Sequence, residues 1–433
     1  MRENRKEKKR RIVKEALGKT FSSLRVRNFR LFFIGQLISN TGNWLTNVAL
    51  ILLVLKITGS GLDVGILTAC QFGPTFFFSP WGGVLADRFD KRRLLLITQS
   101  LEMLQSAGLA ILAFLPHPPL AALYILATVG GILLSFDNPF RRSFVSEMVP
   151  VNEIPNAVVL YSTIVNISRI FGPALAGLLV VTVGYGWGFA IDACSYIAVL
   201  IAIIMMRPKE LHRNLRKPGA KNSIRDGMRY VFSMPVLWIS FVMLLFIGTL
   251  AYNFNVTLPL FVTRTLHGNE GVFTILYSIF SLGAVVCSLA IAHRHLVGIR
   301  HIIIGAFTLG IAMILFAFVS NIPLAIPFAF LIGMTTILYM NSTTALAQVE
   351  SKHEMHGRVL SFQTVLTMGT TILGGPFSGW LADNWGARSP FVFGGIVCLA
   401  AGAFGWWATR RYIPKAIERS EILPEAVETL DEE

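Results

Sequence analysis

The sequence predicts an all-α integral membrane protein, with twelve transmembrane helices in two parallel-related six-helix bundles. Apolar composition, twelve long apolar segments and an internal repeat at near-constant offset predict it. Over 433 residues the chain is 54% hydrophobic and only 14% charged. That is too apolar for a water-surrounded enzyme and fits a polytopic membrane protein. A spanning helix needs about 20 apolar residues. Such segments run over 31–55, 62–86, 94–115, 120–138, 154–182 and 187–206, then over 236–263, 269–291, 301–320, 322–344, 357–382 and 389–410.

The divisions follow: a basic N-terminal arm (1–30), a first bundle (31–206), a basic linker (207–235), a second bundle (236–411) and a tail (412–433). Cytoplasmic loops keep Lys and Arg, and one set of connections holds 34 of the 38. The other set holds only Lys56, Arg264 and Arg388, while Arg169 lies inside a span. Both termini are therefore expected in the cytoplasm, and the location expected is the inner (cytoplasmic) cell membrane. The net charge of +14 follows from orientation and attraction to anionic lipid headgroups, so no nucleic-acid partner is needed.

The arm begins like a signal peptide, but the apolar run after it is too long and lacks a small-residue cleavage site. It is expected to stay on the protein. Gly18-Lys19-Thr20 ends like a phosphate loop, yet Val13 stands where the first Gly is required, so nucleotide hydrolysis is unsupported. Cys70, Cys194, Cys287 and Cys398 fall singly in different spans, with neither a disulfide framework nor a metal spacing. In His353-Glu354-Met355-His356 the histidines are one position too close for a zinc helix, and His293, His295 and His301 flank a basic loop. No metal and no cofactor is expected.

Internal repetition supports two equivalent halves. An offset of 203 places Asn138 on Asn341, Glu147 on Glu350 and Pro173 on Pro376; an offset of 206 places Asn47 on Asn253, Gly65 on Gly271 and Arg88 on Arg294. The spacing fits two six-helix halves in parallel orientation. Within the linker, GAKNSIRDGMRYVFSM is predicted to form an interfacial amphipathic helix.

With these residues in place, the chain resembles the major facilitator superfamily over nearly all its length. Gly83, Asp87, Arg88, Lys91 and Arg92 match that family's G-x-x-x-D-R-x-G-R/K-R/K signature, with Asp90 in place of the second Gly. The acidic Asp90, FDNPFRR with Arg141, SRIFGPALAG and FAIDACSY resemble the drug and siderophore exporter branch, which includes macrolide and enterobactin exporters. The resemblance implies a secondary transporter working by alternating access.

The charged hairpin has a physical reading too. Arg88, Lys91 and Arg92 lie where helix-terminal carbonyls favour cations. Asp87 needs a basic partner, for which Arg141 is the candidate, forming a clasp that opens and closes a gate. The alternative is that these charges only fix orientation. Gly172-Pro173 with Gly177, and Gly375-Pro376 with Gly379, combine a helix kink with small residues that admit close approach, as a hinge, a tight seam or plain packing.

Charges inside hydrocarbon cost roughly 2.5–3.5 kcal/mol each on insertion scales. Glu102, Asp137, Arg169 and Asp192 are the proton-coupling candidates. Burial favours a neutral carboxyl and a guanidinium beside it favours the ionised form, so a carboxylate paired with Arg169 would respond to protons. Glu102 ranks first because it lies away from either helix end; a fixed polar bridge is the alternative. Gln36, Asn40, Asn43 and Asn47 recur on one helix face, facing either a central cavity or a neighbouring helix. Asn253, Asn255 and Asn341 would lie across that cavity, with Phe72, Phe76, Tyr252 and Tyr339 completing an amide and aromatic pocket.

The function expected is proton-coupled efflux of a small amphipathic substrate, with protons as coupling ion and the protein a monomer. Import or facilitated movement of a metabolite is the alternative. An integral-membrane receptor or enzyme is disfavoured, since no span combines a nucleophile, a base and a metal set.

Overall fold

The computed structural model describes residues 21–212, 224–292, 298–352 and 355–412. Several regions considered above lie outside the described residues: the arm through Thr20 with its Gly18-Lys19-Thr20, linker positions 213–223, His293 to His295 with Arg294, His353-Glu354, and the tail from 413. Among the described residues a helix occupies every predicted span. The first half comprises α1 (Arg27–Thr58), α2 (Gly61–Arg88), α3 (Lys91–Phe114), α4 (Leu120–Glu147), α5 (Ile154–Thr182) and α6 (Tyr185–Ile204). In the linker, α7 (Ile224–Ser233) takes the place of the predicted amphipathic helix. The second half comprises α8 (Pro235–Leu250), α9 (Phe254–Arg264), α10 (Glu270–Ala292), α11 (Ile299–Ala317), α12 (Ile322–Glu350), α13 (His356–Thr364), α14 (Thr371–Trp385) and α15 (Ser389–Tyr412). Among the described residues, ten helical stretches are long and apolar enough to cross a membrane, with α8 and α9 counted together. The second (α2) and eleventh (α13 with α14) predicted spans pack among them.

Local chemistry sets the turns. Gly59 closes α1 at φ 63°, a left-handed conformation that glycine adopts without strain, and the Ser60 hydroxyl then accepts the Asp63 amide to start α2. Asp90 starts α3: its carboxylate accepts the Arg92 and Arg93 amides. This explains why an acidic residue replaces the expected glycine, because here the position is a helix N-cap.

Three spans differ from the sequence expectation. The fourth was expected to end near 138, but α4 continues through Pro139 to Glu147. Phe140, Phe144 and Val145 are buried in the first half's core, which rewards the extra turns. Arg141 and Asp137 thus lie well inside a helix rather than at its exit. The seventh span is broken at 251–253. There the Asn253 side-chain amide donates to the Thr249 carbonyl at 2.7 Å, displacing the backbone ladder, and the Asn253 carbonyl begins α9 by accepting the Val256 and Thr257 amides. The eleventh span is broken by a π-helical turn, Val365–Gly369. The two breaks adjoin: a Cβ on Gly374 would lie 1.9 Å from the Thr249 carbonyl oxygen and 2.7 Å from the Asn253 amide nitrogen.

Most packing stays within a half. α1 packs on α5 and α6, α2 on α4, and α3 on α4 and α6; in the other half α10 packs on α12, and α11 on α12 and α15. Two seams join the halves, α2 with α14 and α5 with α10. Both involve the helix ends remote from the basic hairpin, hereafter the far end. A Cβ on Gly379 would meet the Gly61 carbonyl oxygen at 2.0 Å, and one on Gly177 would meet Thr274 Oγ1 at 1.9 Å. Only glycine permits those approaches. Towards the basic end, α2 instead presents exposed Phe76, Phe77, Phe78 and Trp81.

Candidate functional site

The site begins with a charge that has nowhere to go. Arg141 is 2% exposed, and its guanidinium cannot shed its proton. The α4 backbone places Asp137 one turn earlier, and Arg141 Nε donates to it. From α3, Glu102 Oε2 lies 3.6 Å from another guanidinium nitrogen. From α1, Gln36 Oε1 and Asn40 Oδ1 accept from Arg141 at 3.0 and 3.1 Å. Thr98 and Gln99 donate to Asp137, each at 2.8 Å, and Gln99 also donates to Glu102 at 3.0 Å. Three helices thereby share a buried network of two carboxylates and one guanidinium.

The sequence assigned the arginines differently. Arg169 was to pair with a carboxylate, but no described carboxylate lies within ion-pair distance of it. Its neighbours are aromatic: Trp44 beneath the guanidinium at 5.7 Å, with Tyr252 and Tyr277 beside it. Arg141 was to pair with Asp87, whose side chain lies outside the described residues. The described partners of Arg141 lie within the bundle, because α4 runs on and carries it there.

Asp192 stands apart from both arginines. Buried at 1% exposure, it accepts hydrogen bonds from Thr46 at 2.6 Å, Ser106 at 2.8 Å and Ser195 at 3.4 Å. It ties α1, α3 and α6 together through hydroxyls. Tyr196 lies near both Asp192 and Glu102 and accepts from Asn43 at 3.5 Å.

The amide stripe on α1 divides. Gln36 is wholly buried and, with Asn40, serves Arg141. Asn43 and Asn47 are half-buried, the Asn47 amide donating to Asn43 Oδ1 at 3.0 Å. In the second half Asn255 accepts from the Tyr277 hydroxyl at 2.8 Å, Asn341 donates to Ser288 at 2.9 Å, and Asn253 shapes the helix break. Tyr252 sits in that break. Tyr339 does not line a pocket: it is fully buried, its backbone against Gly305. Phe72 is half-buried, whereas Phe76 is 41% exposed beside Phe77.

The signature hairpin serves the first half. Lys91 and Glu147, both buried, form an ion pair, and Arg92 donates to the Ile203 and Ile204 carbonyls that end α6. Arg88 is exposed, and Gly83 has open space around its Cα. Of the kink residues, Pro173 and Pro376 lie inside helices. Gly177, Gly375 and Gly379 lie on the seams, while Gly172 admits Trp44, whose Cβ would be 2.3 Å from a Cβ there.

One contact set had no forecast. Asp383, at the far end of α14, accepts the Gly61 and Leu62 amides at 2.8 and 2.9 Å, capping the first turn of α2 from the other half. Arg264 donates to Asp383 at 2.7 Å and to the Gly59 carbonyl at 2.6 Å. This latch fastens the halves at the far end. Its signal was present in sequence: an acid and one of three Lys or Arg residues on the charge-poor side. Among the described residues no group of three His, Cys, Asp or Glu side chains is placed to hold a metal.

Known proteins give this geometry a context. A family model described as transmembrane secretion effector matches residues 18–428. The chain is 26% identical over 380 residues to the staphyloferrin A transporter of Staphylococcus aureus, covering 86% of this chain and 94% of that one. It is 24% identical over 374 residues to the multidrug efflux pump Tap of Mycolicibacterium fortuitum, covering 84% and 91%. With the enterobactin exporter EntS of Shigella flexneri it shares 26% over 214 residues, 48% of this chain and 51% of that protein. Its fold matches an inward-facing, unoccupied bacterial homologue of the human lysosomal transporter Spinster, with TM-score 0.70, 14% identity and coverage of 89% and 98%. A POT family transporter in complex with 5-aminolevulinic acid matches with TM-score 0.73, 14% identity and coverage of 90% and 97%. The chain is therefore a multi-pass membrane transporter of the efflux type rather than an enzyme, and it belongs to the transmembrane secretion effector family of the major facilitator superfamily.

Proposed function

We propose that this transporter exports small amphipathic compounds from the cytoplasm in exchange for protons, by alternating exposure of a mid-membrane site between two six-helix halves. The buried trio of Glu102, Asp137 and Arg141 carries this reading. Two carboxylates share one cation, so with both ionised the trio holds one uncompensated negative charge. In a low-dielectric interior that charge is costly, and one proton removes it. Glu102 is the carrier: Asp137 has the closer grip on Arg141 and accepts two further hydrogen bonds, which leaves Glu102 the less committed carboxylate.

The basic end is the cytoplasmic one, both termini lie there, and twelve spans cross the membrane. The charge count supports this, and so do Arg410 and Arg411, which lie over Trp406 and Trp407 at 3.9 and 5.5 Å near the end of α15, a pairing suited to an anionic headgroup layer. The latch of Asp383 and Arg264 with the α2 start is then the closed outer gate, and the signature hairpin with Asp87 and Arg88 belongs to the inner one. The protein acts as a monomer. The names of its relatives, a staphyloferrin A transporter and a multidrug efflux pump, support a siderophore-like or drug-like substrate.

The test is transport in proteoliposomes, with fluorescent dyes, macrolides and siderophores offered under an imposed pH gradient. Export reading predicts movement of at least one compound against the proton flow and dissipation of the gradient with it. Movement that ignores the gradient would remove the proton from the mechanism, and movement of none would remove export.

A further inference from the structure

Arg169 is the arginine that the proton cluster leaves over. It lies midway along α5, within the membrane-spanning part of the fold, and no described carboxylate is within ion-pair distance. Its Nε is buried without an acceptor. The groups around it are aromatic and come from both halves: Trp44 of α1 at 5.7 Å, Tyr252 in the break between α8 and α9, and Tyr277 of α10. Arg169, Trp44 and Tyr252 are each only half-buried, so the group is reachable.

We propose that Arg169, framed by Trp44, Tyr252 and Tyr277, is the subsite that receives a carboxylate group of an amphipathic substrate. The inference rests on the export reading and narrows its substrate class. A guanidinium within the membrane is stable only with a counter-charge or a polar cage; Tyr252 offers Arg169 a hydroxyl, and no described residue offers it a carboxylate. A guanidinium matches a planar carboxylate by two parallel N–H···O bonds. The aromatic rings offer flat apolar surface to the remainder of the molecule.

Two structural details keep the subsite in shape. Gly172 lets α5 close on α1 so tightly that any side chain there would collide with Trp44. The Tyr277 hydroxyl donates to Asn255, fixing that ring against α9. Because the ring donors belong to different halves, an anion held by Arg169 touches both halves at once. Occupancy therefore bears on the seam that must move.

The test uses the full-length protein in phosphatidylcholine nanodiscs, which contain no anionic lipid to compete, and two dyes on one xanthene scaffold: carboxyfluorescein, an anion, and rhodamine 6G, a cation. Fluorescence anisotropy is expected to show carboxyfluorescein binding that weakens at least about tenfold in Arg169→Gln, is partly retained in Arg169→Lys, and leaves rhodamine 6G affinity within about twofold. Wild-type protein that does not bind carboxyfluorescein overturns the proposal. So does Arg169→Gln weakening both dyes equally, which would mark a packing role. Failure of this contrast leaves gradient-driven export in proteoliposomes standing, and failure of export leaves the binding contrast standing, so the two ideas fall separately.

Discussion

The interior of the first half and the seam between the halves solve opposite problems with the same residue types. Inside the first half, Arg141 is held by Asp137, Glu102, Gln36 and Asn40, so its charge is fully engaged by acids and amides. Along the seam, helices meet through glycine at Gly61, Gly177 and Gly379, and Arg169 faces aromatic rings instead of acids. A network of charge-assisted bonds resists rearrangement, because breaking one leaves an unpaired charge in low dielectric. A glycine seam backed by van der Waals contact separates at smaller cost. The interior is suited to holding a proton, the seam to opening.

Substitutions can break this contrast, and the largest effect is expected in the interior. Arg141→Met leaves two buried carboxylates without a cation and should lower stability by about 3–5 kcal/mol, read as early thermal unfolding in detergent. Adding Asp137→Asn to that variant should recover most of the loss. A double variant as unstable as the single one would mean that packing, not charge, holds Arg141.

Glu102→Gln should keep the fold, since the amide can still accept from Gln99, while gradient-driven efflux falls at least tenfold and substrate exchange without a gradient persists. Efflux still driven by the gradient in this variant would move the proton to Asp137 or Asp192. Asp192 is the weaker candidate, because three hydroxyls and no cation surround it.

At the seam, Gly177→Val should shift the balance of states rather than unfold the protein. The new side chain collides with Thr274, and such overpacking costs about 1–3 kcal/mol. The expected readout is faster cysteine labelling from the far side, where the closed seam now excludes reagent. Unchanged labelling would show that α5 and α10 yield without opening.

The smallest effect belongs to the latch. Asp383→Asn keeps one acceptor for the α2 amides but loses the ion pair with Arg264, whose side chain is 31% exposed against 24% for Asp383. A partly solvated pair is worth little alone, so a shift of about 1 kcal/mol towards the open far end is expected, visible in the same labelling assay. A shift as large as that of Gly177→Val would make the latch, not the glycine seam, the main fastening.

How much of this was legible in the sequence follows from the range of each interaction. Helix positions were readable because apolar length is a local property, and the kink glycines were readable because Gly-Pro recurs at equivalent places in both halves. Charge pairing was not. Arg141 takes the carboxylates expected beside Arg169, and Arg169 takes aromatic rings, because pairing depends on which helix face meets which, and because α4 continues past Pro139 where the run Asn138 to Arg142 reads as a loop. The breaks at 251–253 and 365–369 were also hidden: one comes from an Asn side chain taking a backbone acceptor, the other from a π turn without Gly or Pro at its start. Asp383 was overlooked because its partners, the Gly61 and Leu62 amides, lie more than 300 residues away.

The central claim is that the two ends of one site open in alternation, and distances across both ends test it most directly. Spin labels at Ile57 and Trp385 report the far end, and labels at Arg88 and Lys352 the basic end; all four positions are exposed. Pulsed electron resonance in nanodiscs should give a short far-end distance with a long basic-end one, exchanging for the reverse pair in a second population whose share changes with pH. Distances that remain single and fixed at both ends, or that lengthen together, would contradict the account.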